Sequence, residues 1–271
     1  MNGASREALA AARERLDALT DNTSVNAGQL ADELAAVTAL LDREVSLRRV
    51  LTDPAQAGEA KAELAQRLLG GQVSGEAADL LAGMVRSRWS QSRDLVDALE
   101  QLADTADLTA AQQAGTLDDV EDELFRFGRI VASNTGLRAA LTDRSATTSA
   151  KGELLRSLLG GRAKATTERL VTRLVTAPRG RSLESGLESL SKLAADRRER
   201  MVAVVTSAVP LSDQQKQRLG AALAKVYGRK MHLNLDVDPE VLGGIRVQVG
   251  DEVINGSLAD RIEDAGRRLA S

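Results

Sequence analysis

Apolar side chains recur every three or four residues through the first 200 positions, a spacing typical of amphipathic helices. Near the start of the chain, Leu9, Ala12, Leu16 and Leu19 form one such apolar face. After a break at 21–27, the spacing predicts further helices over about 29–42, from Asp53-Pro54 to Gly70-Gly71, over 76–88 and over 94–104.

The ends of one predicted helix follow from its terminal residues. Asp53-Pro54 favours a helix start, because aspartate caps free backbone N–H groups and proline suits the first turn. Gly70-Gly71 favours a helix end, because glycine adopts the left-handed conformation that commonly closes a helix.

The pattern returns 90 residues later. Residues 47–71 read LRRVLTDPAQAGEAKAELAQRLLGG and residues 137–161 read LRAALTDRSATTSAKGELLRSLLGG, so that Leu47 corresponds to Leu137. A repeat of this length indicates a duplicated helical domain. We call the two units copy one and copy two. The second is predicted to contain helices over 117–131, 137–141, 150–159, 166–175 and 183–200.

One predicted helix lies where the two copies meet. The first helix of the chain, moved forward by 90 residues, falls on the last helix of copy one. We therefore expect the segment 94–113 to close the first bundle and open the second, which would couple the copies rigidly.

The pattern changes after residue 200. Residues 201–209 read MVAVVTSAV, a β-branched run that predicts a buried strand. A helix capped by Ser212, an alternating strand over 230–237, a hairpin over 243–254 and a helix over 258–269 complete a small α+β domain. The predicted fold is mostly α: two tandem helical bundles over 1–105 and 106–200, then a mixed sheet with helices over 201–271.

The composition of the chain argues against some classes of function, nucleic-acid binding among them. Acidic and basic residues are interspersed, with a net charge of −3, and aromatic residues make up 1% of the chain. A nucleic-acid surface usually shows a basic excess and aromatic stacking platforms, so neither pattern is present. The chain has no cysteine, no run of about 20 apolar residues, and a charged rather than apolar start. It reads as cytoplasmic, or as held at a membrane through a partner.

Candidate chemistry is sparse. His232 is the one histidine, and at about 3.3 Å per strand residue it lies roughly 13 Å from Asp236, too far to share a metal. Acid pairs such as Asp118-Asp119 fall on the polar side of an amphipathic helix. We expect no catalytic residue, no metal and no cofactor. The glycines read as structural turns rather than phosphate loops: Gly70, Gly71, Gly160, Gly161, Gly243, Gly244, Gly250 and Gly256.

Partner binding is the remaining class of function, because helical bundles offer grooves to other amphipathic helices. The candidate groove residues occupy matching positions in the two copies, and burial in the core is the competing interpretation. They are Leu80, Leu81, Met84 and Val85 in copy one, and Leu170, Val171, Leu174 and Val175 in copy two.

The last 70 residues resemble a known family. The segments VTSAVPLSDQQKQRL and LNLDVDPEVLGGIRVQVGDEVINGSLADRIEDAGRRL contain Asp238-Pro239, Gly243-Gly244, Gly250-Asp251 and Gly256-Ser257 in order. This set is similar to the delta subunit of bacterial F-type ATP synthases, whose family includes the mitochondrial oligomycin-sensitivity-conferring protein. The resemblance covers 94–271 directly and 5–110 through the repeat. Asn255 stands where the family often has aspartate, and the duplicated helical domain resembles actinobacterial forms.

The resemblance implies a stator that does no chemistry. In the family, the helical domain binds the N-terminal helices of the alpha subunits, and the C-terminal domain binds the b-subunit stalk. The protein would lie at the cytoplasmic face of the plasma membrane, associated with the membrane through the complex alone. A helical-repeat adaptor outside energy metabolism is the alternative, and an enzyme site shared with another subunit is a weaker one. The implied stalk contacts are Leu258, Ile262 and Leu269.

Overall fold

The computed structural model describes residues 1–20, 25–199, 202–227, 231–238, 244–249 and 252–255. It is mostly helical, with a small mixed four-stranded sheet, and this confirms the predicted fold class. The chain divides into two compact units, Met1–Leu193 and Ala194–Ser271. Copy one and copy two up to residue 193 fall in the first unit, and the boundary lies within the last helix of copy two. The three predicted domain boundaries stay predictions.

The sequence repeat is a structural repeat. Four helices of copy one have counterparts in copy two whose first and last residues are both 90 positions further on. Copy one contains α1 (Gly3–Thr20), α2 (Ala27–Arg43), α3 (Val45–Thr52), α4 (Gly58–Leu69) and α5 (Gly75–Arg86), followed by α6 (Ser92–Gln113). Copy two continues with α7 (Leu117–Ser133), α8 (Thr135–Thr142), α9 (Thr148–Leu159), α10 (Ala165–Thr176) and α11 (Leu183–Glu199).

The helix α6 runs unbroken for 22 residues between the two copies. It contains neither glycine nor proline, and its alanine and leucine content favours a continuous helix. Leu95, Leu99 and Leu102 are fully buried in a core shared with α1, α2 and α5. The helix also contacts α7 and α10 of copy two. One helix therefore packs against elements of both copies.

A glutamate at corresponding positions of the two copies bonds the start of α5 in copy one and of α10 in copy two. Glu33 on α2 accepts a hydrogen bond of 2.5 Å from Ser74, the residue that caps α5. Its counterpart Glu123 on α7 accepts 2.9 Å from the backbone N–H of Lys164 and 2.5 Å from the hydroxyl of Thr167. In copy one, Ser74 accepts from a free N–H of α5 and Glu33 holds its hydroxyl, whereas in copy two Glu123 accepts directly from the backbone at the start of α10. The repeat therefore preserves a glutamate at the helix start as well as an apolar pattern.

The helix start predicted at Asp53-Pro54 is wrong. The preceding helix α3 ends at Thr52, and α4 begins only at Gly58. Asp53 instead accepts a hydrogen bond of 2.9 Å from the N–H of Ala55, and its counterpart Asp143 accepts 2.8 Å from Ser145. An aspartate that bonds its own backbone two residues on stabilises a turn, which competes with a helix cap.

The glycines after α4 and α9 are required by space more than by handedness. A Cβ on Gly70 would lie 2.6 Å from the carbonyl oxygen of Gln66, and one on Gly160 would lie 2.5 Å from that of Arg156. Of the four glycines at these two helix ends, Gly161 alone has the left-handed conformation, with φ of 69°. Any side chain at the first glycine of each pair would collide with the last helical turn.

The second unit is a small α/β sandwich. Its elements are β1 (Val202–Ser207), α12 (Asp213–Tyr227), β2 (His232–Val237), β3 (Ile245–Val249) and β4 (Glu252–Asn255). The strand order is β2-β1-β3-β4, with β1 and β2 parallel and the other neighbours antiparallel. Side chains of β1, β3 and α12 form its core: Ala203, Val205, Val247, Val249 and Leu223.

The predicted cap of α12 is confirmed, and it forms a reciprocal pair. The hydroxyl of Ser212 accepts from the N–H of Gln215 at 3.3 Å, while the Gln215 side chain accepts from the N–H of Ser212 at 2.8 Å. Gly244 comes directly before β3 and has a left-handed φ of 92°. The other predicted features of this unit lie outside the described residues: Gly243, Gly250, Gly256 and the terminal helix with Leu258, Ile262 and Leu269.

Two alanine substitutions in and after α9 should have opposite effects on stability. Gly160→Ala should lower the free energy of unfolding by about 1–3 kcal/mol, because its Cβ meets a backbone oxygen. Gly152→Ala should raise it by about 1 kcal/mol, because the site lies within the helix and has open space for a Cβ. Urea unfolding followed by far-UV circular dichroism measures both, and equal effects would contradict this interpretation.

Candidate functional site

The eight predicted groove residues are all buried within their own copies. Those of copy one, on α5, are at most 1% exposed, and those of copy two, on α10, are at most 5% exposed. They form the inner faces of two equivalent helices, so direct contact between most of them and a partner would require the bundle to open. Their role in partner binding stays a prediction, and the structure limits it to those residues that border an open groove.

Copy two contains an open groove that reaches two of these residues. It has a volume of about 820 Å³ and lies between α8, the turn after α10 and the start of α11. Its floor is apolar and includes Leu141, Leu174, Val175 and Leu183. The charged groups on its rim are mainly basic: Arg138, Arg144, Lys151 and Arg181, with Glu184 as the one acid.

The equivalent groove of copy one is half as large. Its volume is about 410 Å³, and residues 49–54 and 89–92 line it without Leu51, Met84 or Val85. Trp89 accounts for the difference, because its ring is 7% exposed in the core and its indole N–H donates to the Met84 carbonyl oxygen at 2.8 Å. Lys61 is likewise buried at 3% exposure, whereas its counterpart Lys151 borders the open groove.

Arg179 replaces Trp89 at the corresponding position of copy two. Its side chain turns away from the groove and bonds the carboxylates of Glu100 at 2.5 Å and Asp97 at 3.0 Å, both on α6. Its backbone has φ of +47°, a left-handed conformation that costs a non-glycine residue about 1–3 kcal/mol when the surroundings do not favour it. Arg181 also bonds Glu100, at 2.6 Å.

A second cluster joins the same helix to α10. Arg173 bonds Asp104 and Asp107, each at 2.7 Å, and Arg169 pairs with Asp107 as well. The four acids of these two clusters have spacings of three, four and three residues along α6, which places them on one helix face. Their four partners are arginines of copy two. Buried charges need such pairing, so the ion pairs couple α6 to copy two.

Burial perturbs the acids in these clusters. It raises the pKa of Asp104 to about 7, although the positive charge of Arg173 opposes the shift. Burial also raises the pKa of Asp107 and that of Asp97, again against neighbouring arginines. These carboxylates pair with arginines of α10 and of the turn after it, and they do not line the groove. Their role is therefore to hold α6 against copy two.

The part of the chain that the structure describes holds no group of three histidine or acidic side chains placed to bind a metal ion. None of its helices combines the length and apolar character needed to cross a bilayer.

The fold defines a class: a duplicated helical bundle followed by a small α+β unit. Comparison with known proteins gives the family. A family model described as "ATP synthase delta (OSCP) subunit" matches residues 105–269. The chain belongs to this family, as its C-terminal motifs predicted.

Relatives match over the whole chain. A protein of Streptomyces coelicolor named "ATP synthase subunit delta" is 88% identical over 271 residues, covering 100% of this chain and 99% of that protein. A protein of Thermobifida fusca with the same name is 49% identical, covering 100% of both. Both copies of the helical repeat are therefore within the aligned region.

Among solved structures, a chain of the mitochondrial ATP synthase hexamer of Toxoplasma gondii is similar at 22% identity and a TM-score of 0.34, covering 62% of this chain and 95% of that one. Similarity at this level carries no argument, and the family assignment rests on the sequences. The family model begins inside α6 and spans copy two and the second unit, leaving most of copy one outside it.

The raised pKa of Asp104 predicts a specific pH dependence of stability. The folded state holds this proton more tightly than the unfolded chain, where the pKa is near 3.8. Its contribution to the free energy of unfolding is therefore complete below about pH 4 and is lost as the pH rises toward 7. Between these values wild type should lose up to about 1.4 kcal/mol per pH unit relative to Asp104→Asn.

Urea unfolding followed by the fluorescence of the single tryptophan, Trp89, measures this difference. Asp118→Asn, on the exposed side of α7, is the control and should keep the slope of wild type. Parallel pH profiles for wild type and Asp104→Asn would contradict the assignment.

Proposed function

We propose that this chain is a non-catalytic stator subunit of an F-type ATP synthase. It would link the catalytic alpha/beta head to the b-subunit stalk, so that proton-driven rotation is coupled to ATP synthesis. Membership of the delta (OSCP) family carries this proposal. The comparisons give no support to the alternative of an adaptor outside energy metabolism. The complex would hold the protein at the cytoplasmic face of the plasma membrane.

Copy two is the copy that we assign to the head. Two observations support this choice: its groove has about twice the volume of the one that Trp89 lines in copy one, at about 820 against 410 Å³, and the family model covers copy two. The occupant we propose is an N-terminal helix of an alpha subunit. Among the predicted groove residues, Leu174 and Val175 are those a docked helix could reach without opening the bundle.

The lining of the groove specifies the chemistry of that helix. An apolar floor takes the apolar face of an amphipathic helix, since helix-in-groove binding gains its affinity by burying such faces. On the rim, Arg138 pairs with Glu184 and Arg181 pairs with Glu100. The excess positive charge therefore comes from Arg144 and Lys151, and it favours acidic residues beside that face. Electrostatic matching of this kind also speeds association and makes it sensitive to salt.

The second unit is assigned to the b-subunit stalk, and this part rests on the family resemblance. Leu258, Ile262 and Leu269 stay predicted contacts in residues that the structure does not describe. Two separated contacts on one chain strengthen attachment, because the first raises the effective concentration for the second. A linker between head and stalk benefits from this arrangement under the torque of rotation.

A pair of adjacent alanines on α8 tests the groove. Ala139 is exposed and lines the groove, whereas Ala140 is exposed and does not. Ala139→Trp should fill the groove and weaken binding of a synthetic peptide of the alpha-subunit N-terminal segment by tenfold or more, about 1.4 kcal/mol. Ala140→Trp is the matched control and should bind like wild type. Fluorescence anisotropy of labelled peptide measures both.

Equal affinities of both variants and wild type would remove the groove from the proposal. Failure of wild type to bind the peptide, together with failure to co-purify with alpha, beta and b subunits from detergent-solubilised membranes, would overturn the stator assignment itself.

A further inference from the structure

One wall of the copy-two groove is the turn between α10 and α11, and contacts from α6 hold this turn in place. Pro178, Gly180, Arg181 and Ser182 line the groove from this turn, which connects α10 to α11. Its own backbone bonds are few: Ala177 N–H to Arg173 at 2.9 Å and Arg181 N–H to Pro178 at 2.9 Å. Contacts outside the turn must therefore contribute to its shape.

Arg179 supplies those contacts from the centre of the turn. It is the one non-glycine residue with positive φ in the part of the chain that the structure describes, and its side chain is 5% exposed. Non-glycine residues keep such backbone conformations where the surrounding structure enforces them. The enforcing contacts here all come from α6.

Those contacts involve both the side chain and the backbone. Nη2 of Arg179 bonds Glu100 and Asp97, and Arg93 donates a hydrogen bond of 2.5 Å to the Arg179 carbonyl oxygen. Nε and Nη1 of Arg179 are buried without a hydrogen-bond partner among the described residues. The two carboxylates on α6 therefore compensate most of its buried charge, and moving the turn would separate them.

The helix that holds the turn, α6, packs in the core of copy one through its apolar face. Glu100 is 3% exposed and lies between Leu99 and Leu102, which pack in the copy-one core. Copy one cannot offer the same groove, because Trp89 occupies the position of Arg179. Its packing nevertheless fixes where α6 presents Glu100 to copy two.

We propose that Arg179 and Glu100 are positioning residues that keep the copy-two groove open. Copy one then acts as the rigid support of a docking site that it does not itself contain. The link to partner binding rests on the proposed function of the groove, whereas the holding of the turn is a property of the chain alone.

Two variants of the full-length protein separate backbone conformation from ion pairing. Arg179→Gly suits the positive φ but deletes the charge, and Glu100→Gln keeps the shape but deletes the opposite charge. Both should raise amide hydrogen exchange over 177–182 by roughly tenfold or more, because each leaves a buried charge uncompensated or removes the contact. Both should also weaken binding of the alpha-subunit peptide by a similar factor.

Arg179→Lys retains the charge and should recover part of both effects. Arg162→Ala is the control, since Arg162 is exposed in the preceding turn and does not line the groove. Circular dichroism of each variant should match that of wild type, and Glu100→Gln serves alone if Arg179→Gly does not fold.

Unchanged exchange over 177–182 in the folded variants would overturn the proposal, whatever the peptide does. Increased exchange with unchanged peptide affinity would overturn the link between the turn and docking. A wild-type protein that fails to bind the peptide would count against the proposed function of the groove, and the exchange arm would still decide whether α6 holds the turn.

Discussion

The ion pairing along one face of α6 is the interaction on which the arrangement of the first unit depends. Four acids of this helix meet four arginines of copy two, while its leucines pack in the core of copy one. Removing one partner of a buried pair leaves an uncompensated charge, which costs about 3–5 kcal/mol. The helix therefore cannot leave one copy without disturbing the other, and the duplicated bundle behaves as one unit.

The two copies share a helical plan but differ at the groove. Four helices have the same bounds at an offset of 90 residues, and a glutamate bonds the start of α5 in one copy and of α10 in the other. At one corresponding position, tryptophan fills the core of copy one and arginine crosses to α6 in copy two. The groove beside tryptophan has a volume of about 410 Å³, and the groove beside arginine has about 820 Å³. In the proposed arrangement, copy one supports the larger groove of copy two.

The helices and the repeat could be predicted from sequence, because the apolar spacing of a helix involves only residues that are close together along the chain. The turn at Asp53 could not, since aspartate and proline suit a helix start and a turn equally and the hydrogen bond to Ala55 decides between them. Similarly, an apolar helix face such as Leu80–Val85 looks the same whether a core or a partner covers it. Burial resolves that ambiguity in favour of the core for most of these residues.

Other features depend on pairs that are remote in sequence. Arg173 and Asp104 are 69 residues apart, and Arg179 and Glu100 are 79 apart, so spacing gives no sign of either pair. The exchange of Trp89 for Arg179 is visible once the copies are aligned, yet its effect on groove volume follows only from the fold. The family resemblance, in contrast, could be identified from the ordered turn residues and the segments around them, and the comparisons confirm it.

The most direct test of this account places a photo-crosslinking amino acid at equivalent sites of the two copies within the assembled enzyme. Position 139 lies on the open groove of copy two, and position 49 is its counterpart in copy one. Mass spectrometry of crosslinked products should identify the alpha subunit as the partner of position 139 and not of position 49. Crosslinks to alpha from position 49 alone, or to alpha from neither site, would contradict the assignment of docking to copy two.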